Sequence, residues 1–268
     1  MQTNLDEIKS NKFLLFCLLA VVFVVIVSNL AGSQAATVTT DLLYVPASGG
    51  LLVLSIIIAI RFKGKGETGR AYLLFLTFVS FWFAGEVVWL RAELVFHLVP
   101  FPIETDWLYL AGYPFLFAFM IYYLKPFRIA ISKKMIWNSS LATMIFFVPT
   151  IYAMYSYNPT ANLSEILWAA LYPLSDAMIL FPAVLGVALF LNGKVSLLWS
   201  LCCIAIILNI IADSGFLFLD TDNSVHSGNP VNILYLWAYI LFASGIYSQV
   251  KLFTIPKKKS FGKVDDLK

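Results

Sequence analysis

The sequence predicts an all-α polytopic membrane bundle of eight transmembrane helices built from repeated helical hairpins. Three observations predict it. The 268-residue chain is 60% hydrophobic and 12% charged, with a mean hydropathy of +0.85, which leaves too little polar surface to cover a soluble domain. Its apolar residues gather in runs near the length, about 20 residues, that a helix needs to cross a bilayer. Seventeen of the 18 Lys and Arg residues fall at alternate ends of those runs, so eight crossings put all 17 on one side. Helices are the expected spanning element because each satisfies its own backbone hydrogen bonds in lipid. The polar–apolar alternation of a membrane β-barrel is absent.

In order, the predicted spans are 13–31, 43–61, 71–91, 106–124, 136–155, 164–191, 196–219 and 231–251. They leave a cytoplasmic N-terminal tail over 1–12 and a basic cytoplasmic tail over 252–268. The first span also has a signal-peptide reading, because the small residues Gly32-Ser33-Gln34-Ala35-Ala36 follow it. Its length and the acids Asp6 and Glu7 ahead of it favour a retained helix. Cleavage would leave seven spans and an external N-terminus.

The basic residues fix the expected orientation. Lys9 and Lys12 precede the first span. Arg61, Lys63, Lys65 and Arg70 follow the second, and Lys125, Arg128, Lys133 and Lys134 follow the fourth. Lys194 follows the sixth, and Lys251, Lys257, Lys258, Lys259, Lys263 and Lys268 end the chain. Only Arg91 lies on the other side, where ten of the 15 acids are found. The positive-inside rule therefore predicts a plasma-membrane protein with both termini cytoplasmic. The net charge of +3 is what remains of two opposed totals and does not point to nucleic acid. The connections are too short to hold a soluble catalytic or nucleic-acid-binding domain. The Lys257-Lys258-Lys259 cluster reads as an anchor to anionic lipid in preference to a docking site.

The even-numbered helices open alike. Asp106, Tyr109 and Tyr113-Pro114 open the fourth, Glu165, Trp168 and Tyr172-Pro173 the sixth, and Asn232, Tyr235 and Tyr239 the eighth. Asp41 and Tyr44 open the second, with Ser48 where the second Tyr would stand. Positions i, i+3 and i+7 share one helical face. Helix capping plus an interfacial aromatic belt accounts for much of this pattern. Pro114 and Pro173 add expected kinks, because proline frees a carbonyl one turn earlier. The odd helices echo one another too. Glu86 lies 20 residues before Asp106, and Asp213 lies 19 before Asn232. Helices three and four thus read as a parallel copy of helices seven and eight, unlike the inverted repeat of many transporters.

Three acids lie within the spans: Glu86, Asp176 and Asp213. Ionisable residues at such depth face a bundle interior or a water-filled cavity. Glu165, Trp168, Tyr172 and Asp176 form one stripe, and Asn209 lies one turn from Asp213. No Lys, Arg or His lies at that depth in the sequence to pair with these acids. The expected ligand or ion pocket, opening outward between helices three, four, six and seven, comprises Glu86, Asp106, Tyr109, Tyr113, Glu165, Tyr172, Asp176, Asn209 and Asp213. A packing and hydrogen-bonding role for these acids stands beside a ligand, proton or ion role.

Other chemistry finds little support. Glu93 and His97, with Asp220, Asp222 and His226, lack a recognised metal-ligand spacing. No serine has an in-membrane His, no span has a central Lys, and no His pair suits a buried haem. Cys17, Cys202 and Cys203 lie in apolar spans and read as small buried hydrophobes. Gly49-Gly50 reads as close packing. No catalytic residue, cofactor or metal is expected.

Gly85-Glu86-Val-Val-Trp89, Pro100-Phe-Pro102 and the stretch from Asp106 to Pro114 carry a resemblance, continued by Tyr172-Pro-Leu-Ser-Asp176 and Ala212-Asp213. Over about residues 70–250 the chain resembles the multi-helix membrane sensor region that precedes diguanylate cyclase, phosphodiesterase or histidine kinase modules in bacterial signalling proteins. The resemblance implies a receptor-like input domain with the bilayer as its surroundings. About 17 residues follow the last helix, so the expected output is a separate cytoplasmic signalling protein. The alternative expectation is a small-solute or proton-coupled transporter using Glu86, Asp176 and Asp213.

Overall fold

The computed structural model describes residues 2–98, 104–157, 163–190, 197–221 and 228–254, with side chains over 12–98, 105–152, 170–189, 197–216 and 228–251. Eight α-helices are described: α1 (Gln2–Leu30), α2 (Ser33–Phe62), α3 (Gly66–Phe96), α4 (Glu104–Leu124), α5 (Lys133–Tyr157), α6 (Leu163–Phe190), α7 (Leu197–Thr221) and α8 (Asn232–Thr254). All eight are long and apolar enough to cross a membrane. Pro100–Pro102, Lys194, Asp222, His226 and the Lys257–Lys259 cluster lie outside the described residues.

Six helices close a ring. α2 packs on α3, α3 on α4, α4 on α6, α6 on α7, α7 on α8, and α8 returns to α2. Two helices lie outside it: α1 against α2 and α8, and α5 against α6 and α7. Their outer faces are apolar, with Phe13, Phe16 and Phe23 on α1 and Trp137, Ile145 and Val148 on α5 exposed. Such faces suit acyl chains, which compete poorly with nothing but other apolar groups. The two ends of the bundle differ. At one, Arg61 donates to the Val250 carbonyl (3.3 Å) and Lys125 pairs with Glu67 (2.5 Å). At the other, Asn29 donates to the Gly228 carbonyl (2.7 Å), and Gly228 lies against Ala36 so closely that a methyl there would overlap it.

The chain halves α1–α4 and α5–α8 play interchangeable parts. Each contributes three consecutive helices to the ring and one outlier that packs on the first of them. The seams between halves are α4 with α6 and α8 with α2.

Helix ends depart from the expected spans. α2 begins at Ser33, ten residues before 43, because Ala31 and Gly32 turn the chain at once, Gly32 taking a φ of 113° that only glycine adopts freely. Asp41, expected to open the second helix, therefore sits in its third turn, 1% exposed. Thr39-Thr40-Asp41 looks like a polar boundary in sequence, yet Thr40 and Asp41 are buried within the bundle. Asp106 is the third residue of α4 and not its cap. The basic stretch after α4 holds a 3₁₀ turn, Lys125–Ala130, with Pro126 at its start.

Toward the basic end the ring is filled by aromatic rings. Phe75 meets Phe119 (4.9 Å between centroids), Phe78 (5.6 Å) and Phe242 (5.8 Å), and Phe78 meets Trp82 at 4.6 Å. Glycines let some rings lie on neighbouring backbone, the usual device where packing and not the hydrophobic effect drives association. A methyl at Gly112 would lie 2.6 Å from Trp82, and one at Gly85 would lie 2.9 Å from Tyr109.

Candidate functional site

Within the ring, between the aromatic packing and the end where α4 and α8 begin, lies a cavity of about 150 Å³. Eight of the nine residues expected to form a pocket line it: Glu86, Asp106, Tyr109, Tyr113, Tyr172, Asp176, Asn209 and Asp213. The side chain of Glu165 lies outside the described residues. The helices involved differ from expectation. Beyond α3, α4, α6 and α7, α8 supplies Asn232, Tyr235 and Tyr239, α2 supplies Tyr44, and α5 supplies Thr150. The physical reason is ring closure: α8 lies beside both α7 and α2, so its tyrosine face turns inward and does not form an interfacial belt.

The hydrogen bonds follow the exchange of halves. Glu86 accepts from Tyr239 of the opposite half (2.6 Å) and hydrogen-bonds Tyr109 of its own. Asp213 accepts from Tyr113 of the opposite half (2.9 Å) and from Tyr235 of its own (2.5 Å). Tyr172 donates to Asp106 (2.5 Å), and Tyr44 donates to the Asn232 side chain (2.8 Å). These pairs make Glu86 the counterpart of Asp213, and Asp106 that of Asn232, as the 20- and 19-residue spacings imply. They also correct one register. Tyr172 does the work of Tyr44, so Asp176 corresponds to Ser48, whereas the sequence alignment set Tyr172 against Ser48. Pro114 lies inside α4 and Pro173 inside α6, helices that do not exchange with each other. Near Pro114, the Tyr109 carbonyl receives Trp82 Nε1 (3.2 Å). Asn232, expected as a cap, instead accepts from Tyr44, while Asn229 Oδ1 takes the Val231 N–H (3.1 Å).

The exchange is imperfect, and two of its imperfections are acidic. Asp106 stands where the other half has Asn232, and Asp176 where it has Ser48. Asp176, 2% exposed, lies 3.0 Å from the Tyr113 hydroxyl. Tyr113 thus lies within reach of two carboxyl groups with one hydrogen to give. Asn209 completes the group, donating to Asp213 (2.9 Å).

Trp82 is a further lining residue that sequence reasoning missed. It stands one turn before Glu86, as Asn209 stands one turn before Asp213, so the repeat carried the signal. Its indole contacts Tyr113 (5.8 Å), Tyr239 (6.0 Å) and Tyr109 (6.2 Å), with steep interplanar angles, as well as Phe78 below. Among the described residues, the lining contains no Lys, Arg or His. Among the described residues, no three acids, histidines or cysteines converge closely enough for a metal ion. Glu93 accepts from Trp89 Nε1 (3.0 Å), and His97 ends α3 on the exposed surface.

Comparison with family models, with curated proteins and with solved structures finds no match to the chain. The functional reading therefore rests on the cavity.

Proposed function

We propose that the chain is a receptor-like integral membrane protein of the plasma membrane, with both termini cytoplasmic and the cavity open to the outside. A small ligand binds in the cavity, and the bundle passes its occupancy to a separate cytoplasmic signalling protein. The observation that carries this reading is the position of Trp82. Its indole lines the cavity and also packs on Phe78, which meets Phe75 and Phe242 in the filled part of the ring. A ligand is thus stopped by, and pressed against, packed rings that lead to the basic end. The resemblance to bacterial sensor regions and the basic-side asymmetry support the same reading.

A carrier is the second reading, favoured by the interchangeable halves, because halves related by a parallel repeat with a site between them suit alternating access. Reconstitution separates the two. A receptor binds ligand in liposomes without moving it, whereas ligand-dependent solute or proton flux would establish the carrier.

Two further outcomes are expected. Cysteine at Ser33, Asn158 or Ser227 labels from outside and at Lys65 or Lys259 only from the cytoplasm; Ser227 labelling from the cytoplasm alone rejects the orientation. Asp176→Asn keeps the melting temperature near wild type but abolishes ligand response, because Asn preserves shape and loses the carboxyl. Asp176→Leu lowers stability by about 1 kcal/mol through loss of its contact with Tyr113, whose hydroxyl keeps Asp213 as acceptor. An Asp176→Asn protein with intact response would make the carboxyl purely structural.

A further inference from the structure

We propose that the ligand is a small organic cation, its ammonium group held against Asp176 and Asp213 and its carbon substituents packed on Trp82 and the neighbouring tyrosine rings. This rests on the reading of the cavity as a ligand site and names what enters it.

The halves supply an internal control. Where the bundle needs only a hydrogen-bonded wall, Asn232 and Ser48 suffice: Asn232 accepts from Tyr44, and Ser48 returns its hydroxyl to its own helix at the Tyr44 carbonyl (2.7 Å). At the counterpart positions the chain carries Asp106 and Asp176, both buried. Closure of the ring does not require a carboxyl at position 176, and no basic side chain among the described lining residues offsets Asp176 or Asp213. A buried carboxylate needs a proton or a positive partner, and an entering cation can be that partner for Asp176 and Asp213, which both line the cavity.

The rest of the wall selects the kind of cation. Among the described residues no three acids, histidines or cysteines gather at one point, while aromatic rings make up much of the lining. Trp82 with Tyr109, Tyr113 and Tyr239 presents a group of π-systems of the type that attracts ammonium groups. Asn209, which donates to Asp213 (2.9 Å), and Thr150 add polar groups to the lining beside the carboxyls. The volume of about 150 Å³ is on the scale of a cavity that holds benzene, so roughly six or somewhat more heavy atoms fit. That size suits choline or a short alkylamine.

The test uses the purified full chain in detergent. Melting temperature is followed against choline, tetramethylammonium, ethanolammonium and putrescine, with sodium chloride at matched ionic strength, the neutral choline isostere 3,3-dimethylbutan-1-ol, and acetate. The expected result is a saturable upward shift with at least one organic cation and none with the isostere. Asp176→Ser, which installs the residue of the other half, and Asp213→Asn should each weaken that cation by about tenfold or more. If Asp213→Asn does not fold, Asp176→Ser and the wild-type contrast between choline and its isostere decide. Equal shifts from choline and the isostere, or unchanged cation affinity in Asp176→Ser, overturn the cation. A shift with acetate or the isostere alone overturns the cation and leaves the ligand cavity standing. No shift with any probe overturns both.

Discussion

Gly186→Ala is expected to lower stability by about 2–3 kcal/mol, among the largest effects of any one-carbon change in the bundle. Gly186 lies on α6, where a methyl would overlap the Trp199 indole of α7. Overpacking is tolerable when the struck group is the free end of a flexible side chain. Trp199 is neither free nor flexible: it is 1% exposed and stacked on Tyr123 at 5.2 Å. Either the indole leaves that stack or α6 and α7 separate, and both loosen the side of the ring that carries Asp176 and Asp213. Gly50→Ala is the control. Nothing lies within 4 Å of a methyl there, and alanine is the better helix former by about 1 kcal/mol, so no loss is expected. Thermal melting of both variants checks the pair. Trp199→Phe should rescue Gly186→Ala, giving a double variant more stable than the two single losses sum to. A Gly186→Ala protein that melts with wild type would falsify the close α6–α7 contact.

Asp213→Leu should cost about 3 kcal/mol. One hydrogen bond between membrane helices contributes little, about 0.6 kcal/mol on average, so the lost bonds alone do not reach this figure. The cost comes from what is stranded: Tyr113, Tyr235 and Asn209 all direct donors at the Asp213 carboxyl. Leucine offers none of them an acceptor, and each unsatisfied buried group costs about 1–3 kcal/mol, partly relieved where cavity water reaches. The same count applies to Glu86. Glu86→Leu strands Tyr239 and Tyr109. Melting temperature should therefore fall more for Asp213→Leu than for Glu86→Leu. The reverse order would mean that the phenols find water as readily as a carboxylate.

The features legible in sequence were those carried by one residue type at a time. Apolar runs of spanning length gave the eight helices, and Glu86, Asp176 and Asp213 stood out because acids inside apolar runs are costly. The spacing of Glu86 to Asp106 and Asp213 to Asn232 revealed equivalent hairpins. What escaped notice depends on neighbours in space. Tyr235 and Tyr239 share the spacing of interfacial tyrosines, and only the seam between α8 and α2 turns them inward. The register of α2 against α6 misled for a related reason: Ser48 aligns with Tyr172 along the chain, but hydrogen bonding pairs Tyr172 with Tyr44. Thr40 and Asp41 read as a water boundary because polarity alone does not distinguish a helix end from a face turned to the bundle interior. Trp82 was one tryptophan among seven until its place one turn from Glu86 gave it meaning.

The bonds around the cavity have one more property. Tyr44 to Asn232, Tyr172 to Asp106, Tyr239 to Glu86 and Tyr113 to both Asp176 and Asp213 each join one chain half to the other. The lining therefore acts as a clasp: the groups that a guest would touch are those that fasten the halves together. A guest that claims a carboxylate must loosen a tyrosine, and a loosened tyrosine frees one seam while the other stays shut. Such a molecule needs no long relay to register occupancy, because the act of holding the guest changes how tightly its own two halves are held.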